Sequence, residues 1–235
     1  MMARRIVAAR RRAAAGTEYT WLLKTTSSDA AYQMESAGAT ANWEAVYDAD
    51  GTLIANATGE NPTFDLSGNT GNAVVAIRTA DAITATATNV IDGWAESSLT
   101  FFDASALTSV TDCTYAWDFN NLTSFDASGL TSVTDCWVAW AINSLTSFDA
   151  SGLATMGIPA NNCFTQSWTG GTNALNAASV ESILVNIDLS GQSAPATGTD
   201  ISISTDGSPL TSAAQTAVTN LKSKGWTPHI DGVYV

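Results

Sequence analysis

Three stretches of the chain repeat one order of apolar and polar positions. LTFFDASALTSVTDCTYAWDFNN starts at Leu99, LTSFDASGLTSVTDCWVAWAINS at Leu122 and LTSFDASGLATM at Leu145, aligned without gaps at a period of 23 residues. Apolar residues recur at Leu99, Leu122 and Leu145, at Phe102, Phe125 and Phe148, at Ala104, Ala127 and Ala150, and at Leu107, Leu130 and Leu153. Val110, Val133 and Met156 continue the series, as do Cys113 and Cys136. The pattern L-x-x-F-x-A predicts a short strand with its last apolar residues inward, so that Asp126, between Phe125 and Ala127, points the other way. Gly129 then allows a turn. Leu130, Val133 and Cys136 return at a spacing of three, which suits an irregular or 3₁₀-like second side. A 23-residue coil cannot bury its own apolar side, so neighbouring coils must stack. The expected result is a short solenoid with one parallel sheet, its second half closed by Trp117, Trp137 and Trp140.

On either side the periodicity changes. Over residues 17–92, Tyr19–Thr26, Asn42–Tyr47, Thr52–Ile54, Phe64–Leu66 and Ala73–Ile77 read as strands, punctuated by Asp48-Ala49-Asp50-Gly51, Asn61-Pro62 and the run from Ser67 to Asn72. Strands of this number and spacing predict an antiparallel sandwich. Beyond Met156 the repeat loosens, and Cys163 falls 27 residues after Cys136. Val180, Ile183, Leu184 and Ile187 stand at i, i+3, i+4, i+7, predicting a helix behind a Ser179 cap. Ile201–Ser204 reads as a strand. Thr211–Lys224 reads as a second helix with Ala214, Val218 and Leu221 on one face and Gly225 as its stop. Trp226–Val235 is extended. The fold class is thus mainly β with some α. Its expected domains are a basic arm at 1–16, a β-sandwich-like domain at 17–92, the 23-residue-repeat solenoid at 93–170 and an α/β capping segment at 171–235.

Charge sharpens this division. The chain of 235 residues carries 9 Lys and Arg against 22 Asp and Glu, a net charge of −13. Arg4, Arg5, Arg10, Arg11 and Arg12 place five of those bases among the first twelve residues, which hold no acid. Four bases then face all 22 acids, and no Lys or Arg occurs between Arg78 and Lys222. Such a body cannot track a phosphate backbone, so nucleic acid is excluded as its partner. The apolar runs of the first sixteen residues, four and three long, are too short for an export signal. No run reaches the length of a membrane-spanning helix, and no membrane partner is expected. The arm reads as an anchor for an acidic neighbour, or as a disordered tail.

The run L-T-S-F-D-A-S-G-L-T-S-V-T-D-C resembles the leucine-rich repeats of bacterial surface proteins of the BspA type, which share the 23-residue period, and related coils of bacteriophage fibre and virion proteins. The resemblance covers residues 99–156. It departs from the surface-protein pattern in having Asp-Ala-Ser-Gly where that family usually carries Ile-Pro after the strand. The small sandwich ahead of the repeats and the closing run Asn220–Trp226 are similar to phage fibre organisation. The resemblance implies a binding or structural scaffold, and fold alone does not fix function.

Candidate chemistry is sparse. One histidine, His229, has no second histidine to work with, and three cysteines form no CxxC pair. The cysteines read as small buried residues. No G-x-S-x-G elbow, P-loop or calcium-loop motif occurs, so neither a cofactor nor a metal is expected. Glu44 and Asp48 could be drawn as a glycosidase pair, but their place beside a turn fits solubility better. Asn56-Ala57-Thr58 and Asn121-Leu122-Thr123 fit a glycosylation triplet that arises easily by chance. The most suggestive surface feature is the ladder Asp103, Asp126 and Asp149. Stacked at roughly 4.8 Å and lined by Thr100, Thr123 and Thr146, it could face a glycan or a cation. The other reading is a solvated sheet surface, or carboxylates capping nearby amides. Trp168, in the Gly-rich Ser167–Gly171 loop, is the candidate exposed aromatic for stacking on a sugar.

The expectation that follows is a bacteriophage virion structural protein, made in the host cytoplasm: a fibre, spike or capsid-decoration subunit without catalysis. Its arm would hold other virion proteins, and its body could meet a host glycan or receptor. Any homo-oligomer would use apolar or hydroxyl-rich surfaces, because the bodies repel one another. The alternative is a bacterial cell-surface adhesin. A polysaccharide-cleaving spike enzyme is disfavoured by the lack of a convincing acid pair.

Overall fold

The computed structural model describes residues 22–33, 41–70, 75–79, 90–91, 93–104, 107, 110–131 and 133–235. The chain is mainly β with two α-helices among these residues, and it divides into two compact units, Met1–Thr84 and Ala85–Val235. The arm expected at 1–16, with Arg4, Arg5, Arg10, Arg11 and Arg12, lies outside the described residues.

In the first unit β1 (Leu22–Thr25), β3 (Ala41–Tyr47), β4 (Leu53–Gly59) and β6 (Val75–Thr79) lie in the order β4-β3-β6-β1, every neighbouring pair antiparallel. The predicted turn joins β3 to β4: Gly51 adopts φ 75° and donates its N–H to Tyr47 O at 2.7 Å. Glycine is suited to that backbone because it lacks a Cβ. Leu23, Trp43, Ala45 and Ile77 fill one face, as strand alternation requires. The alternation slips between Ala45 and Val46, both buried, where the register with β4 shifts. A separate ribbon pairs β2 (Tyr32–Gln33) with β5 (Thr63–Phe64). Among the described residues this ribbon is the unit's other pairing, two strands rather than the second full sheet of a sandwich.

The repeat forms the second unit. β7 (Leu99–Phe102), β8 (Ser124–Asp126) and β9 (Ser147–Asp149) recur at the predicted phase, and β8 pairs in parallel with β9, Phe125 opposite Phe148. Every Leu, Phe, Ala and Cys position of the 23-residue pattern is buried. Rings stack in two columns. Phe102, Phe125 and Phe148 lie 6.2 and 5.7 Å apart, and Trp94, Trp117, Trp140 and Trp168 lie 5.4, 5.6 and 5.4 Å apart. The columns touch edge to face, as at Trp117–Phe125, 4.8 Å; edge-to-face pairs gain about 0.5–1.5 kcal/mol beyond area burial. The indole N–H groups of Trp117, Trp140 and Trp168 find no acceptor, a cost of about 1–3 kcal/mol each that the ring packing must outweigh.

The second side is irregular and 3₁₀-like, as the spacing of three predicts, but Gly129 and Trp137 differ from expectation. The second side is made of single turns such as Leu130 N–H to Ala127 O (3.0 Å) and Ala139 N–H to Cys136 O (3.1 Å), with one 3₁₀ helix at Ser151–Thr155. The positive-φ positions in these coils include Tyr115, Phe119, Val138 and Ile142, with Gly129 not among them. At the equivalent Gly152 the need is closeness: a Cβ would stand 2.5 Å from Ala127 O of the preceding coil. Trp137 does not close the core with Trp117 and Trp140, being 36% exposed.

After the last coil the ladder passes by parallel bridges Trp168–Ile203 and Leu175–Thr205 to β10 (Asp200–Ile203). β10 pairs in parallel with β11 (Thr227–Ile230), and β11 pairs antiparallel with β12 (Val233–Tyr234). Helix α1 (Ala177–Leu189) starts at Asn176, whose side chain accepts from Ser179 N; Ser179 is not its cap. Its Ser179 and Ser182 hydroxyls instead accept the N–H groups of Phe148 and Ala150 at 2.9 and 3.0 Å, so the helix serves the edge of β9. Val180, Ile183, Leu184 and Ile187 are buried beneath it. Helix α2 (Ser212–Ser223) is capped by Thr211, and Lys224 at its end pairs with Asp188 of α1 at 2.7 Å.

Candidate functional site

The repeat places two columns of carboxylates on its surface. In the first, Asp126 and Asp149 stand opposite each other across β8 and β9, with Asp103 half-buried at the matching place after β7. These are turn residues. Asp126 Oδ1 accepts from Ser128 N and Oγ at 3.0 and 2.5 Å, and Asp149 Oδ1 accepts from Ser151 N at 2.9 Å. An Asp that bonds its own backbone two residues on holds a chain reversal. That bond anchors one carboxylate oxygen in the turn, which fits the capping reading.

The second column, Asp112 and Asp135, was not singled out from sequence although its 23-residue spacing is visible there. The two residues form a parallel bridge, and each Oδ1 accepts the N–H two positions on, Thr114 at 3.0 Å and Trp137 at 2.9 Å. Burial pushes the Asp135 carboxyl above its ordinary range, and the Asp112 charge adds to that. Beside it Tyr115 and Trp137 form a tilted pair, centroids 5.1 Å apart at 54°. The backbone explains their meeting: Tyr115 N–H donates to Trp137 O at 3.1 Å.

Trp168 has no exposed face. It is fully buried at the end of the tryptophan column, against Trp140, Phe148 and Phe164. The Gly-rich loop suggested exposure, but five residues inserted before it return Trp168 to the phase of Trp140. The exposed aromatic surface belongs instead to Trp137.

The remaining candidates separate. Glu44 pairs with Arg78 at 3.0 Å and Asp48 with Lys24 at 2.8 Å, so each of that drawn pair has its own cation. His229 Nε2 lies 3.5 Å from Asp200 Oδ1, and Thr227 Oγ donates to the same carboxylate. Cys113 and Cys136 bring their sulfurs within 3.4 Å, and Cys163 is buried with them; all three are free thiols. Burial pushes the Cys113 and Cys136 thiols up, making them poor nucleophiles. Among the described residues no group of three or more His, Cys, Asp or Glu could hold a metal ion, and no helix is long and apolar enough to cross a membrane.

Sequence reading also passed over Asn120, Asn143 and Asn173. Their side chains are buried, each accepting the amide of a repeat leucine: Leu99, Leu122 and Leu145. The Asn120–Asn143 spacing of 23 was the signal.

No family model, curated protein or solved structure matches the chain.

Proposed function

We propose that the chain is a structural protein of a bacteriophage virion, a fibre, spike or capsid-decoration subunit that acts by assembly and recognition without turnover. In this reading the second unit is a leucine-rich-repeat-like solenoid related to those of BspA-type surface proteins, and α1, α2 and β10–β12 are its cap. One observation carries the proposal: the coils are braced on one another by ring columns and buried asparagines, and the last strand's amides are taken by Ser179 and Ser182. Such a body is rigid, closed at that end and suited to projecting a surface. The basic arm would anchor it in the particle.

The test is to locate the protein in purified phage particles by mass spectrometry and immunogold labelling. Removing residues 1–16 is expected to abolish incorporation while leaving the folded body intact. Recovery in a bacterial envelope fraction, with none in particles, would overturn the virion assignment in favour of a cell-surface adhesin.

A further inference from the structure

The outward side of the repeat carries an aromatic pair that the core does not use. Four tryptophans at this end of each coil are buried in one column, yet Trp137 is 36% exposed. The preceding coil has Thr114 in its place, so stacking does not demand an indole there. Tyr115, tilted at 54°, cannot cover the indole by face-to-face contact, but it limits the ring's freedom. Asp135 lies two residues before Trp137 and accepts its main-chain N–H at 2.9 Å, with Asp112 bridged beside it. The bonds from Thr114 N and Trp137 N fix one oxygen of each carboxylate on the backbone of the two residues that share the Trp137 position of the coil.

We propose that Trp137, Tyr115, Asp112 and Asp135 bind an uncharged glycan, one pyranose face against the indole and sugar hydroxyls donating to the two carboxylates. An aromatic face takes the apolar C–H face of a sugar, and a few fixed polar groups set its orientation. Two neighbouring half-buried carboxylates accept from neutral O–H donors and repel anions. No Lys or Arg lies between Arg78 and Lys222 to offset that repulsion. The inference deepens the recognition role proposed above and rests on that reading.

Calorimetric and tryptophan-fluorescence titrations of the full chain test it, with cellohexaose, maltohexaose and chitohexaose as neutral probes and polygalacturonate as the anionic one. At least one neutral probe is expected to bind saturably, with a dissociation constant of about 1 mM or tighter. Trp137→Thr, which installs the residue type of Thr114, is expected to weaken that binding about tenfold or more, and Asp135→Asn about threefold. Leu189→Ala, on helix α1, should leave it unchanged. Circular dichroism checks that the variants are folded. Absence of saturable binding to all three neutral probes would overturn the site, as would binding that survives Trp137→Thr or equal binding of polygalacturonate. Absence from particles would overturn the virion assignment and leave this site standing, whereas failed binding would leave particle assembly untouched.

Discussion

The main-chain amide of Leu122 donates to Oδ1 of Asn143 at 3.0 Å, a contact that joins one coil to the end of the same turn. The amide end of that side chain reaches the carbonyls of Trp117, Trp140 and Ala141 at 2.8, 3.2 and 2.9 Å. One buried asparagine thereby serves four backbone groups; the three carbonyls also accept from Asn120 Nδ2, Asn173 Nδ2 and Phe119 N, whereas the Leu122 amide has only Asn143. Asn143→Ala is expected to lower stability by about 1–3 kcal/mol, the cost of one orphaned buried group, here the Leu122 amide. Urea unfolding followed by tryptophan fluorescence measures it. A loss below about 1 kcal/mol would show that water replaces the side chain.

Helix α1 protects the edge of β9 through hydroxyls rather than through main-chain pairing. Ser179→Ala leaves the Phe148 amide without its acceptor, and a loss of about 1–3 kcal/mol is expected. Hydrogen exchange at the Phe148 amide should quicken more than exchange elsewhere in β9. Unchanged protection there would count against the edge-covering role.

Asp135 provides a pH test with a definite sign. Its carboxyl is raised first by burial and then by the charge of Asp112, against the opposing bond from Trp137 N–H. A carboxyl whose native pKa exceeds its unfolded value binds more protons in the folded chain, so its contribution to stability falls as the pH rises through the carboxylate range. Asp50, Asp65 and Asp206 are lowered by bonds from Thr52, Ser67 and Ser208, which is the opposite sense. The stability of Asp135→Asn relative to the parent is therefore expected to rise between about pH 3 and pH 6 and then level off. Paired denaturation curves across that range check it, and a flat difference would contradict the assigned environment.

Thiol labelling reads the core directly. Cys113, Cys136 and Cys163 are buried and free, and burial raises the first two. The native protein is expected to resist a thiol-specific reagent over minutes and to expose all three sulfurs in guanidinium. Fast labelling of a native cysteine would mean that the coils open locally.

Much of the repeat was legible in the amino-acid order. A residue that must be buried in every coil recurs at every period, so Leu122, Phe125, Ala127, Leu130 and Cys136 announced their side of the chain. Trp168 did not, because an insertion changed its distance from Trp140 while the ring column kept its place. The Asn120–Asn143 pair was visible as a spacing, but asparagine is ordinarily a surface residue, and only the backbone groups it serves explain its burial. The left-handed conformations of Val138 and Ile142 were also hidden. β-branched residues disfavour positive φ, and it is the following coil that holds them there: Val138 N–H to Thr165 O at 3.2 Å and Ile142 N–H to Thr169 O at 2.9 Å.

By itself, then, the sequence determined period and phase: a 23-residue coil, its inward residues, its acidic surface and the helical spacing of α1 and α2. These follow from local geometry, because alternation and apolar spacing act within a few residues. The tertiary structure alone decided which tryptophan is buried and which is offered, and which of the turn-holding carboxylates pair across neighbouring coils. Those outcomes depend on what the neighbouring coil places within 5 or 6 Å of a ring, a contact between residues more than twenty positions apart in the chain.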